Sequence, residues 1–262
     1  MDAMIRAAAA LARAGQAVER GARAGTAAWG ELLGAALSPA EREAVTLALY
    51  ARAGGEQRDL FPWEIKWFDA WLPSGGRVLV AGAGAGAEVR ALRARGLAVD
   101  AAEPVDRLAG RLAAAGAGQV VRADHGSLAA GILDGAGPAA RLAGARYDAV
   151  LLGWGSLTHV LEAATRVRVL QAADRLTAGP ILASFWMAET AGPPPRSVGA
   201  RLGRALGRLR GHVAPTEDER FAPWCGFGHL FSAQEVEALG RALGREAVWG
   251  EGPYPHVAWV RG

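Results

Sequence analysis

Residues 77–104 read RVLVAGAGAGAEVRALRARGLAVDAAEP, and few folds accommodate such a segment. Residues 77–81 form a short apolar run suited to a strand buried on both faces. Gly82, Ala83, Gly84, Ala85 and Gly86 then permit a tight turn in which backbone can approach a ligand without intervening Cβ atoms. The spacing predicts a helix over 88–95, whose free N–H groups and partial positive charge face whatever lies over the turn. A second strand is predicted over 97–102, with Glu103 at its carboxyl end, where a carboxylate can accept from both hydroxyls of a ribose. In a chain with 36 glycines the string GAGAG alone carries little weight. The ordered set of strand, turn, helix, strand and acid is what points to a nucleotide-type ligand.

The chain has 262 residues, enough for one large α/β domain with an appended helical part. Lysines and arginines number 29 against 26 acids, and Lys66 is the single lysine, so the excess is spread arginine rather than a concentrated patch. No nucleic-acid partner is expected from that pattern. One cysteine, Cys225, excludes internal disulfides and a cysteine-based zinc cluster, and no metal is expected. No run of 18 apolar residues occurs, so no membrane partner is expected and a cytoplasmic location is. Residues 1–17 are alanine-rich without a leucine-rich core and read as a helix, with a transit peptide as the other reading.

Residues 1–72 read as an N-terminal helical cap and 73–262 as the ligand-binding domain, with 188–225 as a lid inserted in it. Ser38, Pro39 and Glu41 combine an N-cap, a first-turn proline and a capping-box acid, starting a helix that Gly54 and Gly55 stop. Trp63, Trp67 and Trp71 recur every fourth residue on a helix over 61–72, a stripe expected to pack on the sheet. Beyond Glu103 the pattern predicts a helix over 104–115, strands over 119–123, 147–153 and 180–187, and a helix over 158–176. Ligands of open parallel sheets sit at strand carboxyl ends, so the glycine turn, Glu103, Asp124, His125, Gly153, Trp154 and Ser156 should converge. The alternation then breaks. Residues 192–195 form a Gly-Pro-Pro-Pro loop, and a basic helix over 196–210 is expected to turn Val198, Leu202, Leu206 and Leu209 inward. The aromatic, glycine-rich stretch 221–229 is placed as a roof. Ser232 and Glu235 open another capping box, and strands over 245–249 and 256–260 are joined too closely to be parallel.

The string GAGAGA also satisfies the G-x-G-x-x-A fingerprint, so an NAD(P)-dependent oxidoreductase is one reading. The strings VLVAGAGAGAE, VDAAEP, VVRADHGSL, YDAVLLGWGSLTHV and FGHLFSAQEVEAL, followed by the terminal antiparallel pair, resemble the class I S-adenosylmethionine-dependent methyltransferases. The resemblance covers about residues 61–261. It implies a Rossmann-like, doubly wound seven-stranded α/β sheet with an antiparallel last strand, and S-adenosyl-L-methionine as cofactor. It places Gly82, Ala83, Gly84 and Gly86 under the cofactor and Glu103 on its ribose. Asp124 and His125 fall at the adenine, and Gly153 and Trp154 beside the methyl group. Many members carry an acid two positions before the first glycine; this chain has Val80 there, which leaves a non-catalytic, methyltransferase-like binding protein as a further reading.

Absent motifs narrow the acceptor. The loop after the fourth strand reads GWGS rather than an Asn/Asp-Pro-Pro-aromatic signature, one lysine cannot build a Lys-Asp-Lys-Glu tetrad, and one cysteine cannot build a two-cysteine cytosine-methylating site. A small molecule with a hydroxyl, amine or carboxylate remains as the expected partner. Methyl transfer needs alignment above all, worth about 7–11 kcal/mol, with a base adding about 10²–10⁴-fold. His159, after the fourth strand, is the first candidate base and His229 the second.

Overall fold

The computed structural model describes residues 2–53, 58–191, 198–211, 216 and 218–262. Three helices lead: α1 (Asp2–Ala36), α2 (Pro39–Ala53) and α3 (Pro62–Trp71). Then come β1 (Arg77–Ala81), α4 (Ala87–Ala94), β2 (Ala98–Ala102), α5 (Asp106–Leu112), β3 (Val120–Val121) and α6 (His125–Asp134). They are followed by β4 (Ala149–Leu152), α7 (Ala163–Leu176), β5 (Ile181–Ser184), α8 (Ala188–Ala191) and α9 (Val198–Leu209). The chain closes with β6 (Glu219–Ala222), β7 (Gly226–His229), α10 (Ala233–Ala242), β8 (Glu246–Trp249) and β9 (His256–Val260).

Seven strands form one sheet in the order β3-β2-β1-β4-β5-β9-β8. The pairs among β1 to β5 are parallel, and β9 runs antiparallel between β5 and β8. Alternate residues feed two core layers, as a sheet covered on both faces requires. Val78 and Val80 join Trp63, Trp67, Phe68, Val89 and Leu92 on one face, while Leu79 and Ala81 join Leu128, Leu170, Phe231 and Trp259 on the other. The tryptophan stripe of α3 therefore packs on the sheet as its spacing indicates, and the core runs across position 72. Val80 is fully buried in that layer; a carboxylate there would be desolvated among aromatic and aliphatic side chains.

The capping box of α2 is formed, with Ser38 Oγ accepting from Glu41 N–H at 3.2 Å and Glu41 accepting from Ser38 N–H at 2.7 Å. That of α10 is half formed: Ser232 Oγ accepts from Glu235 N–H, but the Glu235 carboxylate turns to His229 and Arg166. The stops at Gly54 and Gly55, the loop 192–195 and Arg196 lie outside the described residues.

Three expectations are corrected. Helix α7 begins at Ala163 rather than 158, because Arg166 takes the carbonyls of Val160 and Leu161 and holds that stretch extended after a 3-10 turn over Ser156–His159. Residues 219–229 form a two-stranded hairpin, β6 with β7, packed on α2 and α1. Helix α9 is turned the other way round from its apolar pattern. Leu202, Leu206 and Leu209 are 59%, 51% and 84% exposed, and its glycine face meets α1, where a Cβ on Gly203 or Gly207 would stand 2.4 Å from Leu32 O or 2.2 Å from Ala35 O. Bare backbone lets the two helices approach more closely than leucine side chains would.

Candidate active site

A cleft lies over the carboxyl ends of the parallel strands. Its floor is Gly82, Glu103, Pro104, Ala123, Asp124, His125 and Ser156; its outer wall is Glu43, Thr46, Leu47 and Tyr50 of α2, with His159 and Val160 at one side.

The glycine turn is built by close approach. Gly82 and Gly84 have φ of 72° and 52°, a region that favours glycine. A Cβ on Gly82 would sit 2.7 Å from the Ser156 side chain, and one on Gly153 would sit 2.3 Å from Gly82 O. Gly153 thus lies against the turn, its N–H donating to Ala81 O at 2.7 Å. Above Gly84 the space is open. Ala83 is buried, and Gly86 caps α4 with φ 83°.

Glu103 is 3% exposed and accepts from Gly84 N–H at 2.8 Å through one oxygen and from Val105 N–H at 3.0 Å through the other. Each carboxylate oxygen retains acceptor capacity. Burial pushes its carboxyl above the usual range, and the two N–H donors oppose that shift. Asp124 caps α6 by accepting from Ser127 N–H at 2.6 Å. His125, the first residue of α6, places Nε2 2.9 Å from Ser156 Oγ, while its buried Nδ1 has no partner among the described residues. Burial lowers its pKa to about 4, so the ring is neutral near pH 7.

His159 ends the 3-10 turn, and its Nδ1 donates to Phe227 O at 2.8 Å. Since a carbonyl only accepts, Nδ1 carries the proton and Nε2 is an acceptor. Burial lowers its pKa against the opposing pull of that carbonyl. Its ring meets Trp186 edge-on at 5.5 Å and Tyr50 at 6.4 Å.

Of the expected site residues, Gly82, Glu103, Asp124, His125 and His159 line the cleft, Ala83, Gly84, Gly86 and Gly153 build or back the turn without lining it, and Trp154 and His229 stand elsewhere. Trp154 is 40% exposed, under the Arg58 guanidinium at 4.9 Å and beside Tyr254; its N–H donates to Glu88 at 3.3 Å. His229 lies away from the cleft wall: its Nε2 is 2.7 Å from Glu235, its ring is edge-on to Phe231, and strand β7 carries it past the cleft. The outer wall was expected from 188–225. Within that stretch α9 and β6 pack on α1 instead, and just beyond it Gly226 lies against Thr46 of α2 and Phe227 N–H donates to Thr46 Oγ1 at 2.9 Å. The Cys225 thiol is pushed up to about 12 by burial, in keeping with an inert side chain. Among the described residues no group of three or more His, Cys, Asp or Glu could hold a metal ion, and no helix is long and apolar enough to cross a membrane.

The sequence matches no family model and no curated protein. Its structure is similar to that of an S-adenosylmethionine-dependent methyltransferase from Methanosarcina mazei, at 16% identity and TM-score 0.52 over 78% of this chain and 99% of the other. It is similar to an amino pentose methyltransferase from Micromonospora echinaspora, solved with S-adenosylmethionine bound, at 15% identity and TM-score 0.52 over 77% and 92% of the two chains. A sugar N-methyltransferase from Streptoalloteichus gives 15% identity and TM-score 0.51 over 76% and 85%. The fold is that of the class I methyltransferases. In this chain Val80 of β1 is fully buried and the outer cleft wall comes from α2.

Proposed function

We propose that the protein transfers a methyl group from S-adenosylmethionine to a small-molecule acceptor. The carrying observation is the convergence, in one cleft of this fold, of a glycine turn, a buried strand-end carboxylate with spare acceptor capacity and an unpartnered imidazole nitrogen. The residues fit the cofactor. Open space over Gly84 leaves room for its sugar and methionine part, Glu103 accepts from the ribose hydroxyls, and Asp124 with His125 borders the adenine. Bound there, S-adenosylmethionine supplies an electrophilic methyl group.

The chain's own work is then orientation and movement of one proton. Leu47 and Tyr50 stand over the floor as the apolar part of the outer wall. His159 Nε2, left as an acceptor by the bond from Nδ1 to Phe227, takes the proton that the acceptor group must lose. The similar solved proteins include enzymes described as acting on an amino pentose and on a sugar nitrogen, which supports a small acceptor. The antiparallel β9 between β5 and β8 favours this reading over an NAD(P)-dependent oxidoreductase.

A thermal-shift comparison of S-adenosylmethionine, S-adenosylhomocysteine, NAD and NADP tests it. A ligand at a hundredfold excess over Kd adds about 2.7 kcal/mol of stability, so the first two should raise the Tm by several degrees and the nicotinamides should not. A shift with NAD alone would overturn the proposal.

A further inference from the structure

The cleft of this basic protein presents carboxylates and no cation. Glu43, Glu103 and Asp124 line it, and among the described lining residues there is neither lysine nor arginine, although the chain holds 29 of these. Three guanidinium groups on neighbouring elements are committed to partners of their own. Arg42 donates to Gly34 O, Leu37 O and Glu219. Arg58 forks onto both oxygens of Glu64 at 2.6 and 2.9 Å. Arg166 holds the Val160 and Leu161 carbonyls and Glu235.

Glu43 is the acid that the cofactor reading leaves without a task. One oxygen accepts from Leu161 N–H at 3.2 Å. Burial raises its pKa, the Leu161 bond and, more weakly, the Arg42 charge oppose this, and neighbouring Asp124 and Glu162 raise it further. Like charges gathered at one wall favour a cation between them. Two turns along α2 stands Tyr50, whose ring approaches His159 edge-on, and His159 in turn approaches Trp186. Aromatic faces attract ammonium groups.

We infer that the methyl acceptor is a small amine that enters as its ammonium form, held by Glu43 of α2 beside the aromatic wall of Tyr50 and His159. The inference rests on the methyltransferase reading and narrows its acceptor. Carboxylate and phosphate acceptors would be repelled by the three acids. An ammonium nitrogen has no lone pair to offer, so it must first give one N–H proton to His159 Nε2. Imidazole becomes imidazolium, and the N–H bonding pair stays on the amine nitrogen.

Benzylamine, benzyl alcohol and benzoate, alike in size and different in charge, serve as probes. Each is titrated at pH 7 with and without saturating S-adenosylhomocysteine, by ligand-observed NMR. Benzylamine should bind at least tenfold more tightly than the other two. Glu43→Gln, which keeps an acceptor for Leu161 N–H, should weaken benzylamine at least tenfold while leaving S-adenosylhomocysteine affinity within threefold. Equal or tighter binding of benzoate or benzyl alcohol, indifference of benzylamine to Glu43→Gln, or no benzylamine binding would overturn the inference. Failure of S-adenosylhomocysteine to bind would instead contradict the methyltransferase reading, and the titrations without it still measure the charge preference of the cleft.

Discussion

His159 Nδ1 lies 2.8 Å from the carbonyl oxygen of Phe227, a residue 68 positions away on the β6–β7 hairpin. That bond sets which ring nitrogen is free, and the hairpin is itself set by α2, where Thr46 Oγ1 accepts from Phe227 N–H. Replacing the ring should therefore affect proton removal and spare cofactor binding. For His159→Ala we expect turnover to fall about 10²-fold or more with S-adenosylhomocysteine affinity within a few fold. Unchanged turnover would leave alignment alone as the source of rate.

Gly226 tests the same linkage from a distance. Its φ is 90°, and a Cβ there would meet Thr46 Oγ1 at 2.4 Å. Gly226→Ala is expected to cost about 1–3 kcal/mol through strain and overlap. It should also lower turnover by shifting Phe227 O, and restoring stability with a stabilising co-solvent should not restore turnover. Full recovery of turnover would separate the hairpin from the chemistry.

Helix α2, rather than α9, covers the cleft. Added S-adenosylhomocysteine should slow amide hydrogen exchange over residues 43–50 and leave Val198–Leu209 unchanged, because α9 rests on α1. Protection gained in α9 and not in α2 would reverse the assignment.

The pKa of His125 near 4 against an ordinary 6.5 makes a prediction about acid. Its folded value is depressed, so the unfolded chain binds the proton first as pH falls. The stability associated with the neutral ring is complete above 6.5, declines as pH drops, and is lost below about 4. By pH 5 the loss amounts to about 2 kcal/mol. Urea unfolding at pH 7 and pH 5 should show His125→Asn losing less stability over this interval than the wild type by about that amount. Parallel losses would mean that the ring titrates normally.

Much of this was legible in the sequence where one rule dominated locally. The apolar run 78–81, the three glycines after it and Glu103 needed only strand burial and turn sterics, and they stand where those rules place them. The cap at Ser38 and the stripe Trp63 and Trp67 were similarly local. Tertiary partners decided the rest. Nothing in GFGH announces a strand, since Gly226 and Gly228 interrupt the alternation; β7 exists because glycine lets it press on Thr46 and Trp186. Leu202 and Leu206 promised a buried face, but Gly203 and Gly207 offered a closer one. The α2 wall carried a faint signal, the helical spacing of Glu43, Leu47 and Tyr50, which became meaningful only with the helix laid over the sheet.

Whether Glu103 and the glycine turn hold an adenosyl cofactor is decided by calorimetric titration of S-adenosylhomocysteine into wild type and Glu103→Ala. Hydrogen bonds to a charged group contribute about 1.5–3 kcal/mol each, and every 1.4 kcal/mol is tenfold in affinity. Saturable binding to the wild type and at least a tenfold loss in Glu103→Ala are expected; no binding to the wild type, or equal affinity in the two proteins, would overturn the assignment of the cofactor site.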